Sequence, residues 1–564
     1  MNRFFRFLPD FLIRGRLLVL AALFAATGYL GSRIPDIETN FATERMFHVE
    51  DSRRLDYERA AGIFGKDDNL LLILLEVPEP AAGDAEAPRD IFDRRVIDEI
   101  GRLGEAIGEI DGVTRVIDVA DAVEMYETEG GFRVGRLIEE VPEDPAALAA
   151  LKRRVLAHRL HARRLVSEDG RLAAMLVEID AERFPLDQDR YAVVVDVQRL
   201  LGMDTGSIAE SVYPKDREPP EAIPPSPLLR ATMTGIPALR YAYLDLIESD
   251  QKRFLPFVVG MMLLVSAFLF RGLQGVLLPF AMVTVSLTWA MGWFPILGKP
   301  IDLISTILPT LLVVYGVADS IHLIGRYHEL YAETGDKIGS LKRTIRDLGV
   351  ACFLTSLTTA VGFGSLYISK MQIIRDFGLL AAVGVMGAYV VTIFLLPIAL
   401  YYWRAPKRVA QRKAADGLSH RLLAALADFD IRHAKPILLV SAAILAVSIY
   451  GVTKAEVVTR ILEDIDPRHP TAHATRVADA RLGGILPLTI LFEGPPEAFK
   501  EPENLRRVAE VEAFMKSLPE TGTASSIADM VGLMNEAVAP EGAEGFRIPD
   551  LRGTVAEFLF LFSL

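Results

Sequence analysis

A chain of 564 residues that is 51% hydrophobic and also 24% charged cannot be evenly mixed, and its apolar residues fall in long blocks between charged stretches. A net charge of -13 excludes a nucleic-acid surface, which needs clustered Lys and Arg against phosphate. The single cysteine, Cys352, excludes an intrachain disulfide; no side chains stand at metal-ligand spacing, so no metal or cofactor is expected.

Taken in order, Arg3, Arg6, Arg14 and Arg16 precede a short apolar run, Leu17 to Leu30, which Phe11 to Ile13 extend. Gly31-Ser-Arg-Ile-Pro35 lacks a small-x-small cleavage site, so the run is expected to stay as an anchor. Further apolar blocks run from Phe254 to Phe270, Val276 to Leu297, Leu303 to Gly325, Val350 to Ile368, Phe377 to Tyr402 and Pro436 to Val452. With about 20 residues needed to cross a bilayer, these are seven predicted spans. Basic residues mark the cytoplasmic side. They gather before the first span and in the linker Arg404 to Lys435, at Lys407, Arg408, Arg412, Lys413 and Arg421. The predicted organisation is a first span with its basic N-terminus (1–32), an outer domain (33–252), five spans (253–403), a cytoplasmic linker (404–435), a seventh span (436–453) and part of a second outer domain (454–564).

The first outer block reads as α/β. Strands are predicted at Asn69 to Val77, Val113 to Val119, Arg171 to Ile179 and Ala231 to Gly235, with helices at Ile91 to Ile110 and Leu186 to Leu201. That order is the split β-α-β pattern. The basic stretch Lys152 to Arg164, with His158 and His161, is a solvated helix face or a contact for anionic lipid. An internal repeat follows. Leu70 to Glu76 recurs as Leu486 to Glu493, Arg94-Arg-Val96 as Arg506-Arg-Val508, Ala120 to Val123 as Ala528 to Val531, and Gly131 to Val134 as Gly545 to Ile548. The final residues, Phe558 to Leu564, read as an apolar strand with an open edge.

The block Leu303 to Gly325 carries Asp319 and His322, although a charge deep in a spanning helix costs at least about 2.5 kcal/mol. Tyr315, Asp319 and His322 stand at i, i+4 and i+7, on one helix face. In the next block, Thr355, Thr358 and Gly362 share one face, and Ser356, Thr359 and Phe363 share the adjacent one. Hydroxyls there can bond their own i-4 carbonyls, glycines can let helices approach, and Tyr315 can simply pack. None of these readings accounts for Asp319, which needs a partner or water.

Gly316-Val-Ala-Asp-Ser-Ile-His-Leu323 with Arg326-Tyr-His-Glu329, Thr355-Ser-Leu-Thr-Thr-Ala-Val-Gly-Phe-Gly364, and Asp376 to Gly384 ending at Leu396-Pro397 together resemble the RND superfamily in its MMPL branch. These strings resemble the block of spans that the superfamily shares with sterol-sensing domains. The resemblance implies an α-helical membrane bundle with extracytoplasmic α+β ferredoxin-like porter domains, in a bacterial inner membrane, with the N-terminus cytoplasmic and the large domains periplasmic. It implies proton-driven export of lipids or other lipophilic molecules, with protons and membrane lipids as partners. The family's proton carrier maps onto Asp319. Tyr315, Ser320 and His322 stand beside it, and Thr355, Ser356 and Thr359 are the hydroxyls of the following span. Where lipid exporters of this branch follow the aspartate with tyrosine, this chain has Ser320, and Tyr315 one turn earlier is the substitute. The family is built from two six-span halves, so a longer chain, a second half-transporter, another copy or a periplasmic protein is the implied partner. A lipid sensor or binding scaffold without proton flux is the alternative. An enzyme is not expected, because no nucleophile constellation or phosphate-cradling loop is present.

Overall fold

The computed structural model describes residues 2–40, 45, 51–65, 67–80, 87–128, 131–184, 187–270, 272–404, 418–455, 465–485, 488–519, 521–538 and 545–562. Helices α1 (Asn2–Arg14), α2 (Arg16–Ser32) and α3 (Ser52–Phe64) come first. They are followed by β1 (Leu70–Glu76), α4 (Arg94–Gly108), β2 (Val113–Ile117), β3 (Val123–Thr128), β4 (Gly131–Arg136), α5 (Pro145–Leu156), β5 (Leu172–Ile179), α6 (Asp187–Leu200), α7 (Ala209–Val212) and β6 (Arg230–Gly235). Then come α8 (Ile236–Phe270), α9 (Leu273–Ile296), α10 (Leu308–Thr334), α11 (Lys337–Ser365), α12 (Gln372–Tyr402), α13 (Leu418–Arg432) and α14 (Ala434–Val452). The last four are α15 (Pro470–Arg481), α16 (Pro502–Ser517), α17 (Ile527–Val538) and α18 (Arg552–Phe562). The chain forms two compact units, residues 1–54 with 249–460, and residues 55–248 with 461–564.

Among the described residues, α2, α8, α9, α10, α11, α12 and α14 are seven helices long and apolar enough to cross a membrane, one at each predicted apolar block, and all belong to the first unit apart from the start of α8. The stretch Phe11 to Ile13 does not extend the first span. It belongs to α1, which buries Phe5, Leu8 and Leu12, and Gly15 separates it from α2. Within the bundle, Trp289 Nε1 donates to Thr27 Oγ1 at 2.9 Å, joining α9 to α2. The α10–α11 turn is cut by Gly335 at φ 67°, a left-handed position that suits glycine. Lys337 Nζ then donates to Tyr401 O at 2.6 Å and Trp403 O at 2.7 Å, placing a cation on the carbonyl end of α12.

The close helix approaches are not where the sequence placed them. A Cβ at Gly362 or Gly364 would meet nothing within 4 Å, whereas one at Gly378 would stand 2.5 Å from Phe363 O and one at Gly384 3.0 Å from Leu312 Cδ1. Gly349 of α11 and Gly292 of α9 are further close approaches, with a Cβ 2.7 Å from the Phe5 ring and 2.5 Å from Leu30 O. Helix α14 buries no residue. Of the linker's basic residues, Lys407, Arg408, Arg412 and Lys413 lie outside the described residues.

In the second unit, β1 sits inside a four-stranded antiparallel sheet of order β2-β5-β1-β6, with α4 and α6 as the connections of two interleaved β-α-β units. Alternate β1 side chains point to opposite faces. Leu71, Ile73 and Leu75 join the main core with Ile100 and Ile107 of α4 and Val193, Val194 and Val197 of α6. Leu72 and Leu74 pack with Ala474 and Ala478 of α15. With both faces covered, β1 is apolar at six consecutive positions, Leu70 to Leu75.

The second half of the repeat folds differently from the first. Of the strand expected at Leu486 to Glu493, the described residues from 488 on form no strand, and Leu488 is 75% exposed. The reason is pairing: β1 bonds to β5 and β6 on its two sides, and among the described residues no strands offer themselves to its copy. Ala528 to Val531 lies in helix α17 and Gly545 to Ile548 in no strand, although the first copies enter the hairpin of β3 and β4. Only Arg506-Arg-Val508 keeps the helical conformation of its partner, one turn into α16 where Arg94-Arg-Val96 opens α4. The apolar tail as far as Phe562 is also helical rather than a strand, Ser563 and Leu564 lying outside the described residues: α18 buries Val555 and Phe558 against Leu505, Val531 and Met534. The basic stretch Lys152 to Arg164 leaves its helix at Leu156, and the rings of His158 and His161 stack 4.5 Å apart beyond it.

Candidate functional site

Helix α10 buries Leu312, Val313, Gly316, Val317, Ser320, Leu323, Ile324 and Tyr327, a stripe at i, i+3 and i+4 spacing that sets its rotation. Asp319 flanks that stripe and is turned towards α11. Ser356 Oγ donates to Asp319 Oδ2 at 3.4 Å, and the buried Cys352 thiol, one turn before Ser356, lies within electrostatic range of the same carboxyl. Tyr389 of α12 lies within electrostatic range of Asp319 and Cys352, and donates its hydroxyl to Gly349 O at 3.4 Å. Among the described residues, no cation stands within ion-pair distance of Asp319. The result is a carboxyl group at a three-helix junction, bonded to a hydroxyl and close to a thiol. Such a group can take up and release a proton without first breaking a salt bridge.

The predicted residues divide into three sets. Asp319 and Ser356 meet. His322 is exposed, though within electrostatic range of Asp319. The others turn elsewhere: Tyr315 is 40% exposed, and Ser320 is buried with its hydroxyl on Gly316 O at 2.9 Å. Thr355 bonds Cys352 O at 2.9 Å and Thr359 bonds Thr355 O at 2.8 Å. These three hydroxyls serve their own helices. Cys352 and Tyr389 were not among the predicted set. The spacing Cys352, Ser356, Thr359 puts the cysteine on the serine's face, so that signal was present; nothing local marks Tyr389.

A second polar cluster occupies one end of the same bundle. Asp376, in the first turn of α12, accepts Arg45 Nη2 at 2.7 Å and Lys299 Nζ at 2.8 Å. Asp302, 3.8 Å from the same Arg45 nitrogen, caps the turn ahead of α10 by accepting Ser305 N at 2.9 Å. Lys299 also lines a cavity of about 460 Å³ with Tyr29, Arg33, Asp36, Glu38 and Ile296. In the other unit, the buried Asp118 accepts Ala120 N at 2.8 Å and Asp121 N at 3.1 Å, yet burial pushes its carboxyl up to about 6.

Seven helices long and apolar enough to cross a membrane among the described residues, with an ionisable group at a helix junction, mark a multi-pass membrane protein. The MMPL family model matches residues 94–426, more than half of the chain, and the chain belongs to that family of RND-type membrane transporters. It is also 22% identical over 388 residues to MJ1562 of Methanocaldococcus jannaschii, a protein described no further than as a membrane protein. That match covers 67% of this chain and 89% of the relative.

Proposed function

We propose that the chain is a proton-driven exporter of lipids or other lipophilic molecules, with Asp319 as the proton carrier. The supporting observation is the placement of Asp319 at the α10–α11 contact, bonded to Ser356 and near Cys352, with no cation within ion-pair distance among the described residues. A proton on Asp319 removes the charge from that contact, and its loss restores an isolated carboxylate between two helices. The two states favour different packings of α10 against α11 and α12, a two-state element biased by one proton. Ser356 holds the carboxyl oriented, and Cys352 and Tyr389 supply polar edges on α11 and α12. On this reading the N-terminus faces the cytoplasm of a bacterial inner membrane, and the unit of residues 55–248 with 461–564 is a periplasmic porter domain of ferredoxin-like topology. It converts the repacking into opening and closing of a path that a lipophilic molecule enters from the membrane.

The test is proton movement. The full chain is reconstituted in vesicles holding a pH-sensitive dye, and a pH gradient is imposed with a nitrobenzoxadiazole-labelled phospholipid present. Proton flux and probe movement that both depend on the gradient, and are both lost in Asp319→Asn, support the assignment. Equal flux in the variant rejects it.

A further inference from the structure

The cluster of Arg45, Lys299, Asp302 and Asp376 is formed by three separate parts of the first unit. Arg45 belongs to the connector after α2, Lys299 and Asp302 to the loop between α9 and α10, and Asp376 to the start of α12. The connector is further zipped to the loop by backbone bonds, Ile301 N to Glu38 O at 2.8 Å and Asn40 N to Ile301 O at 2.9 Å. Arg45 is 8% exposed, Asp302 1% and Asp376 3%, so the charges are out of water. Yet the match is incomplete. Arg45 Nη1 and Asp302 Oδ2 are both buried without a hydrogen-bond partner among the described residues. A set of buried charges left partly unsatisfied is a poor way to gain stability and a plausible place for two alternative arrangements.

Its position matters more. Asp302 and Ser305 lead into α10, and Asp319 lies 17 residues beyond Asp302 on that helical path, roughly 25 Å along the axis. Asp376 opens α12, and Tyr389, 13 residues on and roughly 20 Å away, reaches the Asp319 junction. Two of the three helices that meet at Asp319 therefore end in this cluster. The third thing the cluster holds is the connector through which the chain continues into residues 55–248.

We propose that Arg45, Lys299, Asp302 and Asp376 are positioning residues forming an electrostatic lock, which fastens the connector to α10 and α12 and opens and closes with the proton state of Asp319. This rests on the proton-carrier reading above. The lock is closed in the structure, and in this proposal the closed lock goes with an uncharged residue 319, since among the described residues no cation stands within ion-pair distance of Asp319 to hold it charged. Packed helices with two discrete arrangements are the physical means by which the two places communicate.

The reporter pair leaves the lock residues in place and reads out the zipper beside them, and the lock and the carrier are then perturbed one at a time. Thr39 and Ile301 are paired across a β-bridge, so Thr39→Cys with Ile301→Cys gives a reporter disulfide, and native Cys352 is buried elsewhere. Its rate of formation is measured by peptide mapping in the full chain reconstituted in vesicles at one fixed pH. Arg45→Gln is expected to slow formation at least about fivefold, and Asp319→Asn to speed it at least about threefold. A local structural role cannot produce the second effect from about 25 Å away. An unchanged rate in either variant overturns the lock. If Asp319→Asn abolishes proton flux and leaves the rate unchanged, the proton-carrier reading survives and the lock does not. If it spares proton flux and still speeds the disulfide, the lock survives as a coupled element and the carrier assignment falls.

Discussion

Replacing Asp376 with Asn takes one negative charge from between two cations. Its side chain is 4% exposed and it pairs with Arg45 at 2.7 Å and Lys299 at 2.8 Å. Removing one partner of a buried pair costs about 3–5 kcal/mol, because the charge left behind stays desolvated. Two features reduce that figure. Asn keeps an oxygen that can accept one of the two bonds, and the Lys299 side chain, 29% exposed, can turn to water. Arg45, with its side chain 9% exposed, cannot, and its remaining ion-pair partner among the described residues is Asp302 at 3.8 Å. A net loss of about 2–3 kcal/mol is expected, which lowers the unfolding midpoint of a unit this size by roughly 5–10 °C. The assay is thermal unfolding of the detergent-solubilised full chain followed by tryptophan fluorescence. Trp289, Trp293 and Trp403 all belong to the unit that contains Asp376, so the signal reports on the right part of the molecule. A shift smaller than about 2 °C would refute the reasoning, because it would mean that Arg45 is solvated or that Asn pairs as well as Asp does.

Gly378→Ala is expected to cost about 1–3 kcal/mol in the same assay, since its Cβ would press on the Phe363 carbonyl. Gly362→Ala, which meets nothing, should leave the midpoint unchanged or raise it by up to about 1 kcal/mol equivalent. Asp118 predicts a pH dependence of the other unit. Its carboxyl is pushed up to about 6, so the native state holds the proton more tightly than the unfolded chain does. The stability this provides is complete below the ordinary aspartate range and is lost as pH rises through about 6, a change of roughly 3 kcal/mol. Hydrogen exchange of β5 in the full chain should therefore quicken between pH 4.5 and 7 beyond its intrinsic chemical dependence, and Asp118→Asn should flatten that excess; an equal excess in both proteins would exclude Asp118 as the cause.

The spanning helices were legible because each is a long apolar run, and the sheet because β1, β2, β5 and β6 are bounded by turn residues and separated by periodic helices. The hairpin of β3 and β4 was missed. Val123-Glu-Met-Tyr-Glu-Thr128 is as charged as a surface loop, and its pairing with β4 is what makes it a strand. The opposite error at Leu488 to Glu493 has the same origin: a similar apolar run became a strand in one setting and not in the other, since strands are defined by partners. At the junction, Asp319 stood out from sequence because lipid tolerates no bare charge, and Ser356 because it repeats on a polar face. Tyr315, Ser320, Thr355 and Thr359 were equally legible as polar residues. Which way each turns depends on the packing of α10 against α9 and α12, and the residue types do not carry that. Arg45 had no sequence signal at all, because its significance is a contact with Asp376, more than 300 residues away.

The central claim is tested most directly by the membrane-lipid profile of cells lacking this gene, complemented by the parent chain, by Asp319→Asn and by Asp319→Glu. The account predicts that the parent restores the displaced lipid, that Glu restores part of it, and that Asn, expressed at the same level, restores none. Restoration by Asp319→Asn to the parent level would contradict it.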